Sequence, residues 1–209
     1  MKIAIFGGTG STGQEIIKQA LERNHLVTAL VRNPAAITQT SPNLTVIVGN
    51  VFDADTVEKA ILGNDVVLSV LGSKGGRAAT TIYSDSARTF IAAMTKTGVK
   101  RLIYCTSAGT EDDDPSEMFV YRHLIKPFFL QMSYDDMKVA EALIRSSHLD
   151  WILVRPSLLT NGPRTTQFRA SAHYRPEHGT RISRADVAYF MVEQITRAEW
   201  VRKTPTLAY

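Results

Sequence analysis

Glycines at a fixed spacing follow the first apolar run of the chain. Residues 3–6 are apolar, and Gly8, Gly10 and Gly13 behind them match the template Gly-x-Gly-x-x-Gly, with Gly7 opening the turn. Glycine lets a backbone turn sharply out of a strand, approach a phosphate closely and pack a helix tightly on a sheet. Because the template lies between an apolar run and a helical pattern, it predicts a dinucleotide-binding turn.

The helix after this turn would supply the anion-binding groups. Ser11 and Thr12 lie where that helix must begin. The first N–H groups of a helix have no partner within it, so they attract phosphate oxygens. We therefore expect the turn and the start of this helix to hold a pyrophosphate.

The residue after the second apolar run indicates which dinucleotide would bind. NAD selection normally places Asp or Glu about twenty residues beyond the glycines, where the carboxylate binds the ribose 2′-hydroxyl. Here the run Leu26–Val31 is followed by Arg32. A guanidinium can hold a 2′-phosphate through paired charge-assisted hydrogen bonds, so Arg32 favours NADP(H). The alternative is an arginine that is simply solvated.

Two further strand ends would border the same nucleotide. Asn50 and Val51 follow the third apolar run and would line the adenine, while Leu71, Gly72 and Lys74 follow the fourth run, at the level of the ribose and phosphates. The carboxyl ends of parallel strands meet at one edge of a sheet, where such folds bind their ligands. Lys74 could instead be a solvated loop lysine.

The end of the fifth apolar run carries the candidate catalytic residue. Thr106 and Ser107 follow this run, beside the expected nicotinamide, and the Ser107 hydroxyl could donate a hydrogen bond to a substrate carbonyl or ring nitrogen. Alternatively, Ser107 satisfies the backbone of its own loop. Cys105, within the apolar run, is expected to be a buried and inert thiol.

A tyrosine and a lysine four residues apart give a second candidate for chemistry. Tyr134 and Lys138 match the Tyr-x-x-x-Lys pair of short-chain dehydrogenases, in which the lysine assists the tyrosine in proton transfer. The same spacing also suits two residues on an exposed helix face.

Short apolar runs alternate with helical patterns along the chain. The runs lie at Lys2–Phe6, Leu26–Val31, Leu44–Val48, 66–71, Arg101–Cys105 and 151–155, and the helical patterns at 12–23, 55–62, 80–97 and 134–147. This alternation predicts an α/β fold, a doubly wound and mostly parallel sheet with helices on both faces, which is the Rossmann fold. We expect one domain over residues 1–209.

The chain changes character after the sixth run. Residues 160–184 are rich in Gly, Pro, Arg and His without a sustained period, which predicts a long loop or a small C-terminal lobe. We assign residues 156–184 to the substrate side of the site. Ser183 and Asp186 then form a capping box, which predicts a final helix.

Composition argues against several classes of protein. The 209 residues carry a net charge of +4 and one cysteine, and no apolar run has the length of a membrane span. We expect a cytoplasmic protein without a membrane partner or a secretory signal. Nucleic-acid binding is not expected, because the basic residues are dispersed. The acidic residues at 111–114 are expected in a solvated loop, and no metal site is expected.

Several segments together resemble a known family. They read Ile-Ala-Ile-Phe-Gly-x-Thr-Gly-x-Thr-Gly, Leu-Val-Arg, Val-Gly-Asn-Val, Cys-Thr-Ser-Ala and, late in the chain, Ile-Ser-Arg-x-Asp. This set resembles the atypical short-chain dehydrogenases/reductases with NAD(P)-binding Rossmann domains. Within that group it is similar to the NADPH-dependent flavin reductases of the biliverdin reductase B type, through nearly the whole chain.

The resemblance implies a monomeric NADPH-dependent reductase whose substrates are small molecules, namely flavins (FMN, FAD, riboflavin) and certain biliverdin isomers. Flavin would be a substrate rather than a tightly bound cofactor. The glycine turn, the strand ends and the resemblance together predict a set of cofactor-binding residues. They are Gly7, Thr9, Gly10, Ser11, Thr12, Gly13, Arg32, Asn50, Val51, Leu71, Gly72, Lys74, Thr106, Ser107 and Pro156. The chain departs from these enzymes at 109–114 and in an aromatic-rich insertion at 118–131.

Two other functions stay open. One is another atypical short-chain reductase acting on a quinone or a carbonyl, in which Tyr134 and Lys138 would transfer a proton. The other is a regulator that senses NADP(H) without oxidising it. The fold by itself cannot choose among the three, because it hosts many functions.

Overall fold

A computed structural model of the protein describes residues 1–73, 80–115, 124, 126, 128 and 130–209, and within them it shows an eight-stranded sheet. Six parallel strands lie in the order β3-β2-β1-β4-β5-β6. Their bounds are Lys2–Phe6 (β1), Leu26–Val31 (β2), Leu44–Val48 (β3), Val66–Ser69 (β4), Arg101–Cys105 (β5) and Asp150–Pro156 (β6). The chain order reverses between β1 and β4, and such a reversal opens a ligand crevice at the carboxyl ends of the strands.

Helices cover both faces of this sheet, which confirms the predicted Rossmann architecture. The helices are Ser11–Glu22 (α1), Ala54–Ile61 (α2), Ile82–Thr97 (α3), Gln131–Ser146 (α4) and Arg184–Glu193 (α5). One core joins α1 and α5 to the sheet through Ile16 and Met191, and the other joins α2, α3 and α4 through Val57, Phe90 and Ile144. None of the helices in the described part of the chain is long and apolar enough to cross a membrane.

Burial explains why the central strands read as continuous apolar runs. Residues 3–6 of β1 and all four residues of β4 are buried, because helices cover them from both sides. The edge strand β3 keeps two of its five residues exposed. The predicted run at 66–71 extends two residues beyond β4, since Val70 and Leu71 belong to the loop that borders the crevice.

Four short strands were not predicted, and two of them lie wholly within residues 160–184, where the sequence predicts a long loop or a small lobe. Leu158–Thr160 (β7) pairs with Arg181–Ser183 (β9), while Thr206–Ala208 (β10) extends the main sheet beside β6 and pairs with an antiparallel Arg169–Ser171 (β8). Each strand has three residues, which is too short to show a period of two in the sequence.

The capping box is confirmed in one direction and wrong in the other. Ser183 Oγ accepts a hydrogen bond from Asp186 N at 3.0 Å, so it caps α5 as predicted. The backbone N–H of Ser183, however, donates to the Tyr209 hydroxyl. The Asp186 carboxylate instead accepts from the backbone N–H groups of Thr165 and Thr166 and from the hydroxyls of Thr165 and Tyr209. It thereby fastens the segment before β8 to α5.

Candidate active site

The glycine turn lies at the reversal between β1 and β4. Gly7 has a φ of +87°, a conformation that side chains disfavour, and its carbonyl accepts a hydrogen bond from Gly10 N at 3.1 Å. A Cβ on Gly7 would lie 2.6 Å from the carbonyl oxygen of Val70. Glycine at this position therefore allows the end of β1 to touch the segment that leaves β4.

Helix α1 begins directly after this turn with its N–H groups open toward the crevice. Its first internal bond runs from Gln14 N to Gly10 O at 2.9 Å, and no side chain in the described parts of the chain caps its start. Thr9 and Ser11 are exposed, and Thr12 is half-buried. An uncapped helix start with small hydroxyl residues around it fits the pyrophosphate of a dinucleotide.

Arg32 and Asn50 follow neighbouring strands. Gly49 N donates to Val31 O at 2.9 Å, which brings the ends of β2 and β3 together. The side chain of Arg32 is exposed, and none of the residues described in the structure forms an ion pair with it. The Asn50 side chain accepts from Phe52 N at 3.2 Å and fixes a turn over the buried Val51. Arg32 is thus a cation available to a ligand.

The segment after β4 is held from the side of α3 and α4. Ser73 N donates to the Tyr83 hydroxyl at 3.2 Å, and Ser73 Oγ lies 3.1 Å from Ser133 Oγ. Leu71 is half-buried and Gly72 is exposed at this edge. The predicted contact through Lys74 lies outside the described residues.

Ser107 lies at the carboxyl end of β5 in a short turn. Its Oγ accepts a hydrogen bond from Gly109 N at 3.2 Å, and its carbonyl accepts from Thr110 N at 3.1 Å. The hydroxyl therefore satisfies its own loop, and its proton is still available to a substrate. The neighbouring Cys105 is half-buried rather than fully buried as expected, and desolvation of its thiol raises the pKa to about 12.

A buried network beneath this turn was missed from the sequence. Thr106 Oγ1 donates to Glu141 Oε1 at 2.7 Å, so its side chain is directed into the protein. Arg155 donates to both oxygens of Glu141, at 2.9 and 2.5 Å, and to Glu111 Oε2 at 2.9 Å. Burial lowers the pKa of the Arg155 guanidinium, but its two carboxylate partners outweigh this effect and the net pKa is raised. Pro156, which follows Arg155, is buried in β6.

The sequence carried a signal for this network. Arg155 is a charge at the end of a buried apolar strand, and Glu141 interrupts the apolar face formed by Met137, Ala140 and Ile144 on α4. Charges at such positions are rarely buried unless they are paired. The pair ties β6 and α4 to the turn that carries Ser107.

The solvated loop expected at 111–114 is correct for Asp112 and Asp113, which are exposed, and wrong for Glu111 and Asp114, which are half-buried and buried. Glu111 pairs with Arg155, and Asp112 pairs with both Lys126 and Lys138. Asp114 is fully buried and accepts from Arg175 N. Glu111, Asp112 and Asp114 thus contact cations that are distant in the sequence, and sequence spacing gives no sign of these contacts.

Tyr134 packs against the Ser107 turn, whereas Lys138 is directed elsewhere. A Cβ on Gly109 would lie 2.6 Å from the Tyr134 hydroxyl oxygen, and Tyr134 is buried rather than on an exposed helix face. The Lys138 ammonium donates to Asp112. Lys126 Nζ lies 5.9 Å from the centroid of the Tyr134 ring. The hydroxyl therefore lies near the candidate catalytic serine, with its lysine partner engaged by a carboxylate.

A family comparison agrees with this geometry. The family model described as NAD(P)H-binding matches residues 7–198, which includes the glycine turn, Arg32 and Ser107. The chain belongs to this NAD(P)H-binding family. The expected NAD(P)-binding Rossmann family is thereby confirmed, and the narrower likeness to flavin reductases stays a prediction.

The individual proteins that resemble this chain are only distantly similar to it. Reductase pytE from Aspergillus terreus is 26% identical over 260 residues, covering 99% of this chain and 97% of its own. The anaerobilin reductase ChuY from Escherichia coli O157:H7 shares the fold with a TM-score of 0.82 at 24% identity, covering 100% and 97%. A short-chain dehydrogenase/reductase from Veillonella parvula in complex with NADP has a TM-score of 0.79 at 18% identity, covering 100% and 94%.

A polar cleft of about 300 Å³ lies apart from the glycine turn, against α4 and the C-terminal strands. Its lining includes Glu111, Arg145, Arg155 and Thr204. Both arginines are already engaged, Arg155 by two carboxylates and Arg145 by Thr204 Oγ1 at 2.7 Å. Among the described residues that line it, the cleft therefore offers no unpaired arginine comparable to Arg32.

Proposed function

We propose that the protein is an NADPH-dependent reductase that transfers hydride to flavins, with FMN, FAD and riboflavin ranked before biliverdin. The cofactor assignment rests on two features that follow neighbouring parallel strands, the uncapped start of α1 after β1 and the exposed Arg32 at the end of β2. A helix start and a guanidinium are both suited to phosphate oxygens. Together they match a dinucleotide that carries a 2′-phosphate.

The reaction requires the protein mainly to position the nicotinamide ring against the flavin ring. Bound NADPH would supply a hydride from nicotinamide C4, and a flavin accepts it at N5 when the two rings stack about 3–3.5 Å apart. The Ser107 hydroxyl accepts from Gly109 N, so its own proton can be donated to a carbonyl or ring nitrogen of the acceptor. No protein nucleophile is needed.

A second candidate is a carbonyl or quinone reductase in which Tyr134 transfers a proton. The contact of the Tyr134 hydroxyl with Gly109, two residues after Ser107, favours it. The ion pair of Lys138 with Asp112 disfavours it, because the lysine of a Tyr-x-x-x-Lys pair acts on the tyrosine. We therefore rank the flavin reaction first.

The cofactor proposal is tested with Arg32→Ala and the matched control Lys18→Ala, which removes an exposed cation from the body of α1. Loss of a charge-assisted phosphate contact should weaken NADP⁺ binding by about 10- to 100-fold in Arg32→Ala. NAD⁺ binding and the control should change little. Equal NADP⁺ affinity in the two variants, measured by calorimetry, would reject the role of Arg32.

The substrate proposal is tested with a panel of FMN, a quinone, an aldehyde and biliverdin, each supplied with NADPH. We expect FMN to give the highest kcat/KM and Tyr134→Phe to keep most of it. A variant that loses most turnover with a quinone or aldehyde, while FMN is a poor acceptor for the wild type, would establish the second candidate instead.

A further inference from the structure

The loop that follows Arg32 is folded into a closed turn. Asn33 Oδ1 accepts from Ala35 N at 3.1 Å, and Asn33 O accepts from Ala36 N at 3.2 Å. Ile37 N donates to Pro34 O at 3.1 Å. Residues 33–37 therefore behave as one unit, and fixing the far end of this unit also restricts Arg32 at its near end.

One side chain fixes that far end. Gln14 Nε2 donates to Ala36 O at 2.8 Å, and Gln14 Oε1 accepts from Thr38 Oγ1. Gln39 Nε2 lies 3.3 Å from Gln14 O and 3.4 Å from Gln14 Oε1. Both ends of the Gln14 amide and its backbone carbonyl are thus used to hold residues 36–39, which lie more than twenty positions away in the sequence.

Gln14 also belongs to the start of α1. Its backbone N–H makes the first internal bond of the helix, to Gly10 O, and it directly follows Gly13. The same residue is therefore part of the pyrophosphate turn and the anchor of the loop that begins at Arg32. The distance between the two phosphate-binding groups depends on this link.

We propose that Gln14 is a positioning residue that sets the preference for NADPH over NADH by holding the Arg32 loop against the start of α1. This inference rests on the proposed function, since it requires Arg32 to bind the 2′-phosphate. A guanidinium held in place loses less conformational entropy when it binds a phosphate than one on a mobile loop. NADH has no 2′-phosphate, so its binding does not depend on Arg32 or on the contacts by which Gln14 holds the Arg32 loop.

The test compares Gln14→Leu with Gln19→Leu. Gln19 is a glutamine on the same helix, and its Nε2 donates to a distant carbonyl, Ala185 O, at 2.9 Å, on the side of α5. Both variants lose a long-range hydrogen bond from α1, but only Gln14→Leu releases the Arg32 loop. Dissociation constants are measured by calorimetry for NADP⁺, NAD⁺, 2′,5′-ADP and 5′-AMP.

We expect Gln14→Leu to raise the dissociation constants of NADP⁺ and 2′,5′-ADP by roughly five- to tenfold, which corresponds to the loss of one to two net hydrogen bonds. The dissociation constants of NAD⁺ and 5′-AMP should stay unchanged. Gln19→Leu should lower thermal stability without changing the NADP⁺/NAD⁺ ratio. Gln14→Glu keeps the acceptor for Thr38 and loses the donor to Ala36, so it should fall between wild type and Gln14→Leu.

The possible outcomes distinguish a failure of the role inferred for Gln14 from a failure of the role proposed for Arg32. A wild type that prefers NADP⁺ together with a Gln14→Leu variant that keeps the full preference would overturn the inference alone. An equal loss of NADP⁺ and NAD⁺ affinity in Gln14→Leu would also overturn it, because that pattern marks general damage to the helix start. A wild type without a preference for NADP⁺ would overturn both the inference and the role of Arg32.

Discussion

Gly13 in the first turn of α1 packs directly on the carbonyl group of Gly7. A Cβ on Gly13 would lie 2.1 Å from the Gly7 oxygen and 2.8 Å from the Cα of Gly8. Backbone atoms cannot withdraw from such a contact as a flexible side chain can. The close approach sets the position of the helix start relative to β1, and with it the position of the candidate phosphate site.

Gly13→Ala should therefore disturb the fold and the site together, whereas Gly10→Ala should disturb the site alone. Among the described residues, a Cβ on Gly10 would meet Gly7 O alone, at 3.4 Å, and Gly10 has an ordinary φ of −75°. We expect Gly13→Ala to lower the free energy of unfolding by about 2–3 kcal/mol, the cost of overpacking. Gly10→Ala should change it by less than about 1 kcal/mol.

Urea denaturation and NADP⁺ titration of both variants check this prediction. Gly10→Ala should still weaken NADP⁺ binding, since its methyl group would stand where the backbone must approach the pyrophosphate. Similar stabilities for the two variants would show that the contact of Gly13 with Gly7 does not constrain the helix.

Tyr83→Phe should weaken cofactor binding, while Tyr104→Phe should not. Both rings are buried and both hydroxyls are hydrogen-bonded, and burial raises the pKa of each. Only the Tyr83 hydroxyl accepts from Ser73 N at the crevice, whereas the Tyr104 hydroxyl donates to Tyr83 O. Each variant should lose about 1 kcal/mol of stability, and only Tyr83→Phe should raise the KM for NADPH severalfold. The same KM change in both variants would reject this assignment.

The sequence predicted the parts of the fold that repeat a local pattern. Four of the six parallel strands, β1, β2, β3 and β5, have their predicted bounds, because each is a short, mostly apolar run that stands out from the polar residues around it. The glycine turn could also be predicted from the sequence, because the residues that form it are close together in the chain. The strand β10, with only three residues, leaves no comparable pattern.

Side chains that act across long sequence separations could not be predicted in this way. Gln14 binds a loop more than twenty residues away, and Glu141 binds Thr106 and Arg155 from a different element. Their partners are chosen by the packing of helices on the sheet, which no spacing in one sequence records. A buried charge such as Arg155 indicates that a partner of opposite charge exists, but only the fold shows which residue that partner is.

Glu141→Leu should destabilise the protein strongly and also slow turnover. The substitution removes one partner of a buried ion pair and leaves Arg155 with Glu111 alone. Breaking a buried pair of this kind costs about 3–5 kcal/mol. Glu141→Gln keeps an acceptor for Thr106 and should recover part of both the stability and the kcat. The kcat of Glu141→Leu is measured at a temperature where the variant is folded. A value equal to that of the wild type would show that the Glu141 network does not position Ser107.

Asp186→Asn should destabilise the protein at neutral pH and much less in acid. Burial alone raises the pKa of the Asp186 carboxyl, but hydrogen bonds from Thr166, Thr165 and Tyr209 outweigh it, so the net pKa is lowered. A carboxylate with a lowered folded-state pKa adds stability above its unfolded pKa of about 3.9, and this stability is lost as the pH falls through the folded-state value.

The measurement is the free energy of unfolding of Asp186→Asn and of the exposed control Asp113→Asn at pH 7 and pH 3. We expect Asp186→Asn to cost about 1–3 kcal/mol at pH 7 and less at pH 3, while the control stays near wild type at both values. A cost that does not change with pH would show that the hydrogen bonds of Asp186 do not depend on its charge.

The most direct test of the proposed activity mixes purified wild-type protein with NADPH and FMN without oxygen and follows the nicotinamide and flavin absorbances together. The predicted result is equal loss of NADPH and oxidised FMN, at least about tenfold faster than with NADH, as expected for one charge-assisted phosphate contact. Tight NADP⁺ binding with NADPH left unoxidised by FMN, quinone and biliverdin would contradict the reductase and favour a protein that senses NADP(H).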